Sequence, residues 1–384
     1  MKIAFLTAEY PHPKMNAFGG IGTSISNLSK GLVESGHAVT VLVYGQNKDD
    51  FFEENGVSFY LIKNVKVKGV SKWLTQNKIE RLINKLYNEQ KIDILEAPDW
   101  DGITSGIQPK CPVVVKLHGS DTYFCHLENR PVKIRNRYHE SKALQFADGL
   151  VSVSRYTAEI TKQLFALQRD ITVIPNCIDL TKFDAYDTGA NEQPNTILYF
   201  GTLVRKKGSL ELPFIFNEVY QQNNQAKLIL VGRDAQDVIS GNSSVWEMMQ
   251  PLFTKDALQN VTYVGSVTYD NIKEYINSAA VCVFPTFAEA LPVSWIEAMA
   301  MNKAIVASDI GWATEIIDEG VNGYLVNPKN HKEYANKIST LLNDSSLRKE
   351  LGAAARKKVI QKFSIEVVAA QSVAFYQKIA ENKQ

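Results

Sequence analysis

A chain of 384 residues, 45% hydrophobic and 22% charged, holds enough apolar side chain for a large core and exceeds the usual size of one domain. Its net charge of +1 excludes a global pull toward nucleic acid, so any anionic ligand has to be held by a local group of residues. Four scattered cysteines without CxxC spacing, Cys111, Cys125, Cys177 and Cys282, argue against a disulfide framework or a zinc site and fit a reducing, cytoplasmic setting.

The chain opens on the apolar run IAFLTA, too short for a signal peptide and soon followed by Glu9. No later stretch reaches the roughly 20 apolar residues that span a bilayer. Runs of the same kind recur as VTVLVY, VSFYLI, DILEAP, PVVVKLH, GLVSVS and ITVIPN. Such runs, apolar on both faces and separated by helical patterns, predict a buried parallel sheet with crossover helices. The polar stretch Asp184 to Asn195 interrupts the rhythm, and the pattern restarts with TILYFGT, KLILVG, VTYVGSV, VCVFPT, AIVAS and GYLVN. The reading is α/β, with two doubly wound, Rossmann-like domains at residues 1–187 and 188–384. A last helix from about Ser364 falls in the second by position, with packing back on the first left open. Ligands of such sheets bind beyond the carboxyl ends of the strands, which directs attention to the residues just after each run.

After the first run, Gly19, Gly20 and Gly22 precede a helix whose expected cap is Thr23 or Ser24. Glycines let backbone amides approach an anion, and a helix start adds partial positive charge, so Gly20 and Gly22 are anion-binding candidates. The spacing is not that of the dinucleotide fingerprint, and a plain turn is the other reading. At the end of PVVVKLH stands His118, which by itself is either structural or a polar group at the sheet edge. Asp99 and Asp101 in APDWDG form a D-x-D pair of the kind that can chelate a cation with a diphosphate. Here it follows a first-domain strand and reads as acceptor-side or structural, so no metal is expected. Ile79, Leu82, Ile83 and Leu86 form a helical stripe that belongs in the core. The basic segment RPVKIRNRYHESK carries Arg130, Lys133, Arg135 and Arg137. These suit a phosphorylated or acidic acceptor, an anionic membrane surface, or simply a solvated helix.

In the second half, Arg205, Lys206 and Lys207 follow the run TILYFGT and place cations at a strand's carboxyl end. A departing diphosphate needs such charge, although a solvated loop has the same composition. Further on, VCVFPTFAEALPVSWIEAMAMNKAIVAS reads as strand, loop, helix and strand. Pro292 is tolerated in the first helical turn, which leaves Glu289 in the loop and Glu297 inside the helix. Carboxylates repel a diphosphate but accept from paired hydroxyls, so these two are suited to read sugar or ribose. The amides around Ala290 and Leu291 at the helix start are better suited to phosphate. Without other signals, Glu289 as a helix-start charge and Glu297 as a solvated residue remain open.

The E-x7-E spacing from Glu289 to Glu297, followed by ASDIGWATEIIDEGVNGYLV, resembles the donor-binding half of GT-B glycosyltransferases, specifically the retaining glycosyltransferase family 4, or glycosyl transferases group 1. VIPNCID is similar to the family's interdomain motif, YFGTLVRKKG to its G-R-L-x-x-x-K-G diphosphate motif, and GGIGT to its glycine loop. The resemblance runs over nearly the whole chain. It implies a GT-B fold, with an acceptor-side and a donor-side domain facing a cleft. The implied reaction is transfer of a hexose-type sugar, with retention, from a UDP- or GDP-sugar to a hydroxyl of a glycan, a lipid-linked molecule or a small molecule. Glu297 would hold the donor ribose, Glu289 would lie at the transferred sugar and Lys207 would neutralise the diphosphate. His118 would position the sugar rather than abstract a proton. No cofactor, metal or nucleic-acid partner is implied, while peripheral membrane contact stays open.

One departure stands out: the arginine expected after Gly201 is Thr202, and Arg205 is the nearby residue that could reach the same phosphate. A nucleotide-sugar epimerase or phosphorylase of the same fold, or a noncatalytic nucleotide-sugar-binding protein, is the alternative reading.

Overall fold

Val, Ile, Leu and Ala fill both faces of the strand segments, and this both-sided apolar character makes them the interior of parallel sheets. The computed structural model describes residues 1–17, 19–183 and 192–382. It divides into two units, Met1–Asp179 with Phe363–Gln384, and Leu180–Lys362. The boundary expected between 187 and 188 lies outside the described residues.

Among the described residues, the first unit holds an eight-stranded sheet in the order β3-β4-β2-β1-β5-β6-β7-β8. Its strands are β1 (Lys2–Thr7), β2 (Ala38–Gln46), β3 (Asp50–Glu54), β4 (Val57–Lys63), β5 (Ile94–Pro98), β6 (Val113–Leu117), β7 (Gly149–Ser152) and β8 (Thr172–Val173). All neighbours pair in parallel except β3, which lies antiparallel on β4. Strand β3, DFFEE, is charged and sits at the edge, where such residues discourage further pairing. The stripe Ile79, Ile83 and Leu86 is buried with Leu82 packed beside it, as a core face requires.

The helix Ile365–Glu381 belongs to this first unit and not to the second. It packs on α1 (Gly20–Glu34), where a side chain on Gly31 would come within 2.9 Å of the Ile365 carbonyl. Ser364 continues the contact by bridging to Ile178. Deeper in, the Tyr376 hydroxyl donates to the buried carboxyl of Glu96 at 2.5 Å. The partners are 280 positions apart in the chain, so nothing local in the sequence announces this docking.

The second unit holds a six-stranded parallel sheet among the described residues, in the order β11-β10-β9-β12-β13-β14. Its strands are β9 (Thr196–Phe200), β10 (Lys227–Val231), β11 (Val261–Gly265), β12 (Val281–Phe284), β13 (Ala304–Ser308) and β14 (Tyr324–Val326). Strand order reverses at β9, which lies between β10 and β12. The carboxyl ends there form the crevice where α/β sheets bind ligands. Among the described residues no helix is long and apolar enough to cross a membrane.

Candidate active site

In the second unit, β9 ends at Phe200 and the chain turns through a short 3-10 segment, Arg205–Lys207. Gly208 follows with φ +75°, and a Cβ there would come within 1.8 Å of the Pro285 carbonyl oxygen, so the position demands glycine. This close approach seats the turn against the loop after β12. Two further bonds stitch them together, from the amides of Phe287 and Ala288 to the Lys206 carbonyl, at 2.8 and 3.1 Å. As a result Lys207 Nζ lies 3.0 Å from Glu289 Oε1.

The electrostatics follow from that geometry. The Glu289 charge raises the Lys207 pKa, burial opposes it, and Glu297 adds to the raising, so Lys207 sits in the field of both carboxylates. Burial pushes the Glu289 carboxyl up, but Lys207, Lys206 and the Ala290 amide outweigh it and hold the carboxyl below its ordinary value. Glu289 is therefore an ionised acceptor. Glu297 lies within the helix Val293–Ala300, and Pro292 is the N-cap immediately before it rather than a first-turn residue. That helix start carries no side-chain cap. Ala290 and Leu291, both buried, precede it, and the Ala290 amide is turned to Glu289.

Arg205, the expected substitute for the missing arginine, is paired with Asp237 in this structure. Its Nε and Nη2 donate to the two carboxylate oxygens of Asp237 at 3.0 and 2.8 Å. Asp237 is buried, also accepts from the Ser240 amide and hydroxyl, and is held well below the usual carboxylate range, chiefly by Arg205. This planar, two-pronged pairing occupies the guanidinium. The partners are 32 residues apart, and sequence reasoning missed Asp237 because a lone Asp in a polar loop carries no signal.

In the first unit, His118 follows β6 and its amide donates to Asp99 Oδ1 at 2.9 Å. Burial, with the Lys116 charge, pushes the imidazole pKa well below its usual value, so His118 is neutral at neutral pH. Asp99 is fully buried, and its pKa is pushed up to about 7 by burial, with Glu140 adding to the rise against backbone hydrogen bonds that lower it. Asp101, by contrast, is part-exposed and pairs with Lys72 at 3.3 Å. The two aspartates of the D-x-D pattern thus have separate partners. No group of three or more His, Cys, Asp or Glu among the described residues could hold a metal ion.

The glycine loop differs from expectation. Helix α1 starts at Gly20 with Gly19 as N-cap, so Gly20 and Gly22 lie inside the first turn and neither Thr23 nor Ser24 is the cap. The Gly22 amide donates to Glu9 Oε1 at 2.9 Å, and a Cβ on Gly22 would touch the Glu9 backbone at 2.9 Å. The chain's own carboxylate therefore sits at this helix start, where partial positive charge favours it. Glu9 was not expected as part of this region, although its place between the first strand and the glycines was a signal.

Of the basic candidates, Arg130 pairs with Glu128, and Arg137 donates to the Leu164 carbonyl at 3.0 Å. Arg135 is exposed on the helix Ile134–Phe146. That helix also exposes Ile134 (87%), Tyr138 and Phe146, with Lys142 Nζ lying 5.0 Å from the centre of the Tyr138 ring.

Residues 182–358 match the family model of glycosyl transferases group 1, and residues 18–182 match that of glycosyltransferase family 4. With two parallel-sheet α/β units, these matches define a glycosyltransferase of the GT-B fold. The chain belongs to the group 1, family 4-type glycosyltransferases. It is 27% identical to an uncharacterized glycosyltransferase of Methanocaldococcus jannaschii, over 99% of this chain and 98% of that one. Among solved structures it is similar in fold to sucrose-phosphate synthase from Thermosynechococcus elongatus, with a TM-score of 0.78, 20% identity and full coverage of both chains. It is also similar to HepE of Anabaena, solved in complex with UDP and glucose, with a TM-score of 0.74, 20% identity and coverage of 98% of this chain and 99% of that one.

Proposed function

We propose that this glycosyltransferase moves a hexose-type sugar from a UDP- or GDP-sugar to a hydroxyl acceptor, with retention of configuration and without a metal. The observation that carries the reading is the half-buried cluster of Lys207, Glu289 and Glu297 beyond β9 and β12, at the reversal of strand order. In it Glu297 takes the ribose hydroxyls and Glu289 the hydroxyls of the transferred sugar, since ionised carboxylates only accept. Lys207 has three N–H donors, so it can keep Glu289 and still meet a phosphate oxygen. The neutral His118 is suited to hydrogen bonding with the sugar rather than to carrying charge.

The chemistry then needs little covalent help from the protein. The acceptor oxygen bonds to the anomeric carbon on the face from which the diphosphate leaves, the carbon–oxygen bond to the diphosphate breaks, and a diphosphate oxygen takes the acceptor's proton. Positioning and stabilisation of leaving-group charge supply the rate. HepE, solved with UDP and glucose, supports a uridine donor as the first to try.

The acceptor is a glycan, a lipid-linked molecule or a small molecule. The exposed Ile134, Tyr138 and Phe146 beside Lys133, Arg135 and Arg137 favour one presented at an anionic membrane surface, with the enzyme working from the cytoplasm. The four buried cysteines, none of them in a disulfide, accord with that compartment.

Thermal shift over a panel of nucleotide sugars tests the donor reading, because a ligand of the native state alone raises its melting temperature. A UDP- or GDP-sugar is expected to give the largest rise. No shift with any nucleotide sugar at millimolar concentration would contradict the reading.

A further inference from the structure

Lys207 is a poor match, alone, for a departing diphosphate. Its ammonium is 3.0 Å from Glu289 Oε1 and also feels the Glu297 charge, and even with Lys206 acting on Glu289 the two cations and two carboxylates leave no positive charge over. A multiply charged phosphate brought there needs a further cation. Thr202 supplies none, and Arg205 is bound to Asp237.

The register of β9 against β10 shows where another cation stands. The strands pair in parallel with Tyr199 opposite Leu230 and Phe200 opposite Val231. The ladder continues beyond them through the Gly201 amide to the Val231 carbonyl at 2.9 Å and the Leu203 amide to the Arg233 carbonyl at 2.8 Å, and Leu203 bridges to Asp234. Thr202 and Arg233 are therefore directly opposite one another. Gly201 and Gly232 leave their strands with the same unusual turn, φ +144° and +149°, so the register survives the bend. A Cβ on Gly232 would come within 2.0 Å of the Gly201 carbonyl oxygen, so the two backbones are in contact there. Both carbonyls of the bend are tied down: Tyr199 donates to Thr202 at 3.2 Å, and Tyr263 to Gly232 at 3.0 Å.

Opposed residues of a parallel pair project to the same face, one strand spacing of about 4.8 Å apart. A guanidinium on residue 233 thus starts one strand away from where an arginine at 202 would start. Arg233 is exposed, and its side chain makes no hydrogen bond or ion pair among the described residues. The neighbouring Asp234 is engaged, accepting from the Ser244 hydroxyl at 2.6 Å and the Trp246 amide at 3.1 Å. Lys207 is close by, since a Cβ on Gly201 would lie 3.7 Å from its Nζ.

We propose that Arg233 is the second cation of the donor site, standing in across the β9–β10 ladder for the arginine that Thr202 replaces and gripping the diphosphate beside Lys207. This rests on the nucleotide-sugar reading above.

Calorimetric titration of the full chain with UDP, GDP and ADP, and with the matching nucleosides, tests it. Arg233→Ala is expected to weaken the preferred nucleoside diphosphate by about 10-fold or more, the scale of one lost charge-assisted hydrogen bond, and to leave the nucleoside within about 2-fold. Adding Thr202→Arg to Arg233→Ala is expected to recover most of the loss, with melting temperature as the control for folding. Unchanged diphosphate affinity in Arg233→Ala, an equal loss for nucleoside and diphosphate, or a double variant no tighter than the single one would overturn the proposal. A wild-type chain that binds no nucleoside diphosphate would instead overturn the donor reading on which it rests.

Discussion

Lys207 Nζ and Glu289 Oε1 stand 3.0 Å apart although their residues come from the ends of different strands, β9 and β12. The contact exists because Gly208 lets the first loop touch Pro285, and because the Lys206 carbonyl takes two amides from the second. Backbone packing thus assembles the charge pair before any ligand arrives. Such pre-organisation is what a site needs if it is to stabilise leaving-group charge without rearranging at the moment of reaction.

Gly208→Ala is expected to disturb both the fold and the site. The new methyl meets the Pro285 oxygen and φ is +75°, a conformation costly for alanine. We expect the melting temperature to fall by roughly 4 °C or more, together with weaker nucleoside diphosphate binding. An unchanged melting curve and unchanged affinity would show that the two loops do not depend on this contact.

Asp99 sets a pH dependence whose sign follows from its burial. An ordinary aspartate titrates near 3.8, whereas in the fold Asp99 keeps its proton up to about 7. The folded state binds that proton more tightly, so this contribution to stability is full below about 3.8 and is lost as pH rises through about 7. Asparagine does not titrate, and its carbonyl can still accept the His118 amide. Asp99→Asn should therefore gain melting temperature relative to wild type between pH 4 and pH 8. A difference that stays constant across that range would mean that Asp99 is ionised in the fold at acid pH.

The strands were legible because their apolar character is local: each run can be read from five or six neighbouring residues, and TILYF, KLILV and VCVF fall on β9, β10 and β12. The charged edge strand DFFEE was not, since its pattern is that of a solvated loop until β4 is beside it. At the candidate site, Lys207, Glu289 and Glu297 were singled out from their motifs, and the structure brings their charges together. What escaped were relationships between distant positions. The pairing of Arg205 with Asp237, the seat of Glu9 at Gly22 and the docking of the last helix on α1 each depend on backbone geometry that no short segment encodes.

The stereochemistry of the product provides another check. With an α-configured nucleotide sugar, NMR of the initial product is expected to show an α-linkage, and turnover in excess chelator is expected to match turnover without it. A β-linked product would contradict retention, and strict dependence on a divalent cation would contradict charge neutralisation by side chains.

Membrane contact is testable without knowing the acceptor. The chain is expected to sediment with vesicles containing anionic lipid and to be released by salt, since screening weakens attraction between basic side chains and lipid phosphates. Replacing Ile134 and Phe146 with serine and Arg135 with glutamate should reduce the bound fraction severalfold. Equal recovery with neutral vesicles would remove anionic lipid from the account, and no recovery with anionic ones would remove the membrane.

The most direct measurement is release of nucleoside diphosphate from the preferred nucleotide sugar by wild type and by Lys207→Ala, at saturating donor and acceptor. Losing one pre-organised charge-stabilising group should lower turnover on the order of 100-fold or more, with the melting temperature as the control for folding. A folded Lys207→Ala enzyme that turns over at the wild-type rate would contradict the central claim that Lys207, held beside Glu289, stabilises the leaving-group charge.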